Sequence, residues 1–191
     1  MQLNDPLLVL RAGTSQLHKN IEQLPIFASL LKEKVSIQNY QVALQLFSHF
    51  YTIVEPLVIQ GHIQLPYSPR LPALHQDLTA LKINDQPKAF AFSLQNDAER
   101  LGCRYVIEGS ALGAQILLKH LSAKFHGNHP SFCYLKAQIK TIQDWPAFQV
   151  QLRISLNNDD KIQHALNKAK ETFGLLTALH QDIETDQGHY L

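Results

Sequence analysis

The amino-acid sequence predicts an all-α bundle folded as one domain. Three observations carry that expectation: apolar residues recur every three or four positions, strand-like alternation is almost absent, and segments open on helix-start signals such as Asp5-Pro6, Ser36 and Asp144-Trp145-Pro146. With 191 residues and 45% apolar content the chain can bury one core, so a single domain over 1–191 is expected, with a short polar tail from about 184. No internal repeat or low-complexity block argues for a solenoid or a linker.

The first helix is expected from about Pro6 to Gln23. The Asp5 carboxylate can accept orphan backbone N–H groups, and proline occupies the first turn without losing a bond. Leu7, Leu10, Leu17, Ile21 and Leu24 give it one buried stripe. A short second helix should cover Ile26 to Lys34. Ser36 can cap a long third helix in which Tyr40, Leu44, Phe47, Phe50 and Val54 repeat at helical spacing toward Ile59, with Pro56 bending it or replacing one ladder bond.

Pro66, Pro69 and Pro72 punctuate an irregular connector before a helix around Ala73 to Leu81. The apolar content and length of Tyr105 to Lys119 then argue for a helix through its glycines. Gly127-Asn128-His129-Pro130 marks a loop, and Asp144-Trp145-Pro146 starts another helix. Ile162, Leu166, Ala169, Phe173 and Leu176 place a last long helix from about Asp159 to Ile183.

Charge and cysteine content narrow the function. The 17 Lys and Arg nearly cancel the 16 Asp and Glu, leaving a formal +1 that offers little steering toward nucleic acid. Cys103 and Cys133 are too few for a disulfide framework and suit free thiols in a reducing, cytoplasmic compartment. Met1 to Asp5 lacks the pattern of a secretion signal, and no apolar stretch long enough to span a bilayer is expected. Neither a nucleic-acid nor a membrane partner is expected.

Two constellations could carry chemistry. On the first helix Arg11, Thr14, His18 and Glu22 share one face, with roughly 10 Å of rise between Arg11 and His18. That face could offer an imidazole to a metal and a cation to a carboxylate, although a lone histidine on an amphipathic helix is more often solvated. On the helix through Tyr105 to Lys119, Gly109 and Gly113 stack four residues apart and strip side chains from the surface. Close helix–helix packing, approach by a flat ligand and a hinge all fit that pattern. His49, His62, His75, His120, His126, His129, His164, His180 and His189 show no compact ligand spacing, so the surface is their default.

Together these segments resemble the haem oxygenase family, especially the soluble bacterial members related to those found beside bacterial phytochromes. Leu10 to Glu22 looks like the family's proximal helix, with a basic residue, Thr, His and Glu at Arg11, Thr14, His18 and Glu22. Tyr40 to Glu55 is similar to its aromatic-rich helix ending in an acidic residue, and Leu74 to Leu78 to the following connector. Glu108-Gly-Ser-Ala-Leu-Gly-Ala-Gln115 resembles the distal helix that kinks over haem, while Phe148 to Leu156 resembles the segment whose arginine meets a propionate, here Arg153. Phe173 matches an aromatic residue lining the pocket.

The resemblance implies a haem oxygenase-like bundle holding haem, as substrate and cofactor, between a proximal and a kinked distal helix. His18 would ligate the iron; Arg11, Thr14, Glu22, Arg153 and Phe173 would bind haem; Gly109, Ser110 and Gly113 would form the distal catalytic surface. The implied reaction opens the ring at a meso carbon with molecular oxygen, giving biliverdin, carbon monoxide and ferrous iron. No flavin or nicotinamide fingerprint is visible, so electrons would come from a ferredoxin or reductase, and a phytochrome is the implied recipient of biliverdin. Ser110 stands where animal-type members place an aspartate that organises distal water, and Gln149 stands where a lysine often holds a propionate. A non-catalytic protein of the same fold that binds, stores or senses haem is the alternative.

Overall fold

A computed structural model describes residues 5–61, 63, 65–87, 89–125 and 130–188. All regular structure among them is helical, as the periodicity predicts. Met1–Asn4, His62, His126, His189 and the Gly127-Asn128-His129 part of the expected loop lie outside the described residues.

The first helix, α1 (Pro6–Glu22), starts where the sequence signals it. Asp5 Oδ1 accepts the Leu7 N–H at 3.0 Å, and Leu10 is fully buried. The expected second helix shrinks to α2 (Pro25–Ala28) and a 3-10 turn (Ser29–Leu31). There the Ser29 hydroxyl donates to the Ile26 carbonyl at 3.0 Å, offering the backbone an alternative to the α ladder.

A reciprocal capping box opens α3 (Ile37–Ile59): the Asn39 N–H donates to Ser36 Oγ at 3.2 Å and the Ser36 N–H to Asn39 Oδ1 at 2.9 Å. Pro56 lies inside α3 without ending it, since the bond it deletes leaves the carbonyl of Thr52, an exposed residue that water can serve. By length and hydropathy α3 could cross a membrane, which corrects the expectation that no stretch could. It is a core helix nonetheless, burying Tyr40, Leu44, Phe50 and Val54 together with His49 and Glu55.

The next helix, α4 (Leu71–Ala80), begins at Leu71 rather than Ala73 because Pro72 fits its first turn. The helix expected through the glycines of Tyr105 to Lys119 is broken in two, in keeping with the kink that the resemblance implied: α5 (Asp97–Gly109), capped by Asn96, and α6 (Ala111–Lys124). The break falls at Ser110, whose hydroxyl donates to the Ile107 carbonyl at 2.7 Å and whose N–H reaches the same carbonyl at 3.3 Å, so the α ladder stops.

An eight-residue helix that the periodicity did not reveal, α7 (Cys133–Lys140), follows Phe132, which holds a left-handed φ of 53°. Buried Asp77 of α4 makes that start possible by accepting the Cys133 and Tyr134 N–H groups, each at 2.9 Å. A 3-10 turn (Thr141–Asp144) leads into α8 (Trp145–Ser155), at the signal read in the sequence. The last helix, α9 (Asp159–Gly188), runs on to Gly188 instead of stopping near Ile183.

The long helix α9 packs against both α1 and α5, and α3 joins this group to α4. α6 leans on α7 rather than α9, so the break at Ser110 is where the chain changes neighbours. Cys103 and Cys133 are free, and burial pushes the Cys103 thiol up to about 12. Two histidines correct the surface expectation. His49 is buried with Nε2 2.9 Å from Asp85 Oδ1, and His180 is buried with Nε2 3.3 Å from Glu184 Oε1.

Asp5 has a second partner, Arg153 Nη2 of α8 at 3.0 Å, and that hydrogen bond holds its carboxyl below the ordinary 3.8. A carboxyl lowered by folding contributes while ionised and ceases to contribute as acid protonates it. Asp5→Ala should therefore cost about 1 kcal/mol at neutral pH, as for other lost N-caps. Urea denaturation across pH should show this gap full above 3.8 and closing below it; a gap independent of pH would refute the assignment.

Candidate functional site

Helical spacing puts His18 and Glu22 one turn apart on α1, and both remain exposed, at 55% and 65% of their side chains. His18 Nδ1 stands 3.5 Å from Glu22 Oε1, which favours a proton on Nδ1 and leaves Nε2 as a lone pair for a metal. The imidazole meets the Phe173 ring of α9 edge-on, with centroids 6.1 Å apart. The structure thus brings His18, Glu22 and Phe173 together.

Thr14 differs from its face-mates. It is buried, and its hydroxyl donates to the Leu10 carbonyl at 2.7 Å, so its proton is committed to its own helix, whereas Arg11 is exposed. Arg153 lies at the N-terminal end of the same helix, bound to Asp5, with a long 3.5 Å contact from Nη1 to the Gln149 carbonyl. Arg11 and Arg153 therefore belong to the start of α1 and His18 to its end.

The glycines separate into two kinds. A Cβ placed on Gly109 or Gly113 would find nothing within 4 Å, and the same holds for Gly174, next to Phe173. At Gly102 a Cβ would collide with the Ala165 carbonyl of α9. Close helix packing, one of the readings open for Gly109 and Gly113, is thus the role of Gly102, while the distal pair leaves bare backbone facing open space. An exposed imidazole and bare helical backbone are what a planar ligand with a metal at its centre requires, so the residues fit haem.

Beneath the α5–α6 break lies a polar cluster that the sequence did not single out. Arg70, 1% exposed, donates from Nη2 to Glu108 Oε2 at 2.7 Å and to Thr141 Oγ1 at 3.2 Å. Its Nε donates to Gln138 Oε1 at 2.7 Å, and its backbone N–H to Glu55 Oε1. Arg104 Nη2 reaches the other Glu108 oxygen at 3.1 Å. Two guanidinium groups thus balance two carboxylates, which makes their burial tolerable.

Gln138 Nε2 donates to Tyr51 OH at 2.9 Å and to Ser110 Oγ at 2.7 Å. Burial pushes the Tyr51 phenol up to about 12, so it stays neutral at physiological pH. The i, i+4 pair of Arg104 and Glu108 and the lone Glu55 in the apolar α3 were the available sequence signals; Gln138 offered none. A cavity of about 430 Å³ beside Tyr67 and Arg104, on the connector between α3 and α4, is lined by none of the predicted site residues.

A family model described as heme oxygenase matches residues 7–182. Among solved structures the chain is similar to the heme oxygenase from Neisseria meningitidis, reported with NO and CO bound, at 24% identity and a TM-score of 0.68, covering 95% of this chain and 92% of that one. It is similar to the heme oxygenase from Leptospira interrogans at 21% identity and a TM-score of 0.69, covering 94% and 100%. The cyanobacterial heme oxygenase-1 from Synechocystis, in complex with heme, matches at 18% identity and a TM-score of 0.68, covering 96% and 94%. At these identities the likeness is one of fold. A search of curated proteins finds no match.

The two kinds of glycine predict opposite effects in thermal unfolding of the ligand-free protein. Gly113→Ala should stabilise by up to about 1 kcal/mol, because alanine favours helix and meets no neighbour there. Gly102→Ala should lower the melting temperature, since the Ala165 backbone must move. Shifts of the same sign would contradict the division.

Proposed function

This chain belongs to the haem oxygenase family, and we propose that it opens the porphyrin ring of haem at a meso carbon, releasing biliverdin, carbon monoxide and ferrous iron. The observation that carries the reading is the exposed imidazole of His18, oriented by Glu22, in a fold that also leaves the backbone at Gly109 and Gly113 bare. Bound haem supplies the redox-active iron and the ring that is oxidised, with molecular oxygen and electrons from an external ferredoxin or reductase.

The chain's own residues hold and orient this substrate. His18 Nε2, as a neutral imidazole nitrogen, would hold the iron. Phe173 flanks that ligand. Arg11 and Arg153 would pair with the acidic arms of the ring, each charged contact contributing roughly 1.5–3 kcal/mol, and would so limit which meso edge is presented. Gly109 and Gly113 let the backbone approach the distal face, where steric direction takes the place of a charged side chain.

Ser110 holds no such charge, and its one hydroxyl proton goes to the Ile107 carbonyl. That commitment favours a second reading, in which the protein binds and stores or senses haem without cleaving it. A phytochrome is the proposed recipient of biliverdin under the first reading only.

Purified protein given hemin, a reductant and air should lose its Soret band while bilin absorption rises; a Soret band that survives repeated reduction, with no bilin, would select storage. His18→Ala should weaken hemin binding at least tenfold and shift the Soret maximum. An unaltered titration and spectrum in that variant would remove His18 as the ligand.

A further inference from the structure

We propose that Gln138 is a positioning residue for the distal surface: by hooking the Ser110 hydroxyl it fixes the angle at which α5 meets α6, and hence how far the bare backbone of Gly109 projects. The inference rests on the haem reading for its consequence and on hydrogen-bond geometry for its substance.

Gln138 is 1% exposed, and each polar atom of its side chain has a specified partner. An amide has two N–H donors and one carbonyl. The carbonyl is claimed by Arg70 Nε at 2.7 Å, which settles which end of the amide faces which way. The two donors then point to Ser110 Oγ at 2.7 Å and Tyr51 OH at 2.9 Å. Ser110 is just as fully determined, accepting from Gln138 and donating to Ile107.

The residues on either side of Gly109 are tethered to the same core. Glu108 is held through both oxygens by Arg70 and Arg104, and Ser110 is held by Gln138. Gly109 itself touches nothing with the space its Cβ would fill. A backbone segment without side-chain contacts of its own takes its position from its neighbours' anchors. Glu108 anchors the end of α5, and the Gln138 hook ties the residue where the helix turns to α7. A polar side chain buried this deeply, with a geometry dictated by Arg70, is suited to fixing an angle, whereas Ser110 lacks a free proton for chemistry of its own.

The test uses Gln138→Met, which keeps length and bulk and removes the hook but spares the Ser110–Ile107 bond, and Ser110→Ala, which removes both of those bonds but leaves the Arg70–Gln138 contact intact. In the full-length protein without haem, amide hydrogen exchange at Gly109–Ala114 should accelerate about tenfold or more in both variants, while α9 amides change far less. With hemin bound, reduced and exposed to carbon monoxide, both should shift the C–O stretch in the same direction, and the double variant should shift it no further than either single one. A space-filling role for Gln138 would leave the stretch unmoved in the methionine variant.

Wild-type exchange at the junction in both folded variants would overturn the hook, as would additive shifts of the C–O stretch. If Gln138→Met does not fold, Ser110→Ala decides alone by the same two measurements. If the wild-type protein fails to bind hemin, the haem reading fails instead, and junction exchange still judges the hook.

Discussion

The structure depends on a charge that must not be left alone. Arg70 emerges from a proline-rich connector and is buried with its guanidinium against Glu108 on α5, while its backbone is capped by Glu55 on α3. Removing one member of a buried pair of this kind typically costs about 3–5 kcal/mol, because the survivor keeps its desolvation penalty without its partner. The connector, α3, α5 and, through Gln138, α7 therefore cannot drift apart independently. Local sequence in Pro66 to Pro69 specifies no regular structure, so the ion pair supplies the order that hydrogen-bond ladders provide elsewhere.

That rigid interior sits under a surface defined by what is missing. The contrast between Gly102, pressed against Ala165, and Gly109 and Gly113, which meet nothing, shows one residue type used for two opposed ends on consecutive helices. The first brings α5 and α9 into close register. The others leave open space beside the helix, at a cost in helix propensity that no packing contact offsets. A helix that sacrifices local stability without any packing gain points to something outside the chain as the reason.

Much of the fold was legible because apolar periodicity and start signals are local. Asp5-Pro6, Ser36 and Asp144-Trp145-Pro146 each begin a helix where they stand in the sequence. The short α7 was not legible: its N-terminus is satisfied by Asp77, more than fifty positions away in the chain, and its eight residues span little more than two turns. The break within Glu108 to Gln115 was legible only through resemblance, as the kink it implied, since a serine inside an apolar run signals no stop until its hydroxyl turns back on Ile107. Among the candidate residues, His18, Glu22 and Phe173, named from spacing and resemblance, lie together. The support under the distal glycines could not be so named, because Arg70, Gln138 and Tyr51 meet only in three dimensions.

The bond between Asp5 and Arg153 also bears on selectivity. Any anionic group drawn to that guanidinium competes with a carboxylate tethered to the same molecule, at high effective concentration, so the encounter is a swap rather than a simple gain. The displaced carboxylate stays favoured at the N-terminus of α1, where the helix dipole welcomes negative charge. A small monoanion has nothing further to offer in such an exchange. A molecule bearing two acidic arms and a large apolar body can tip it, because its other footholds make the trade worthwhile.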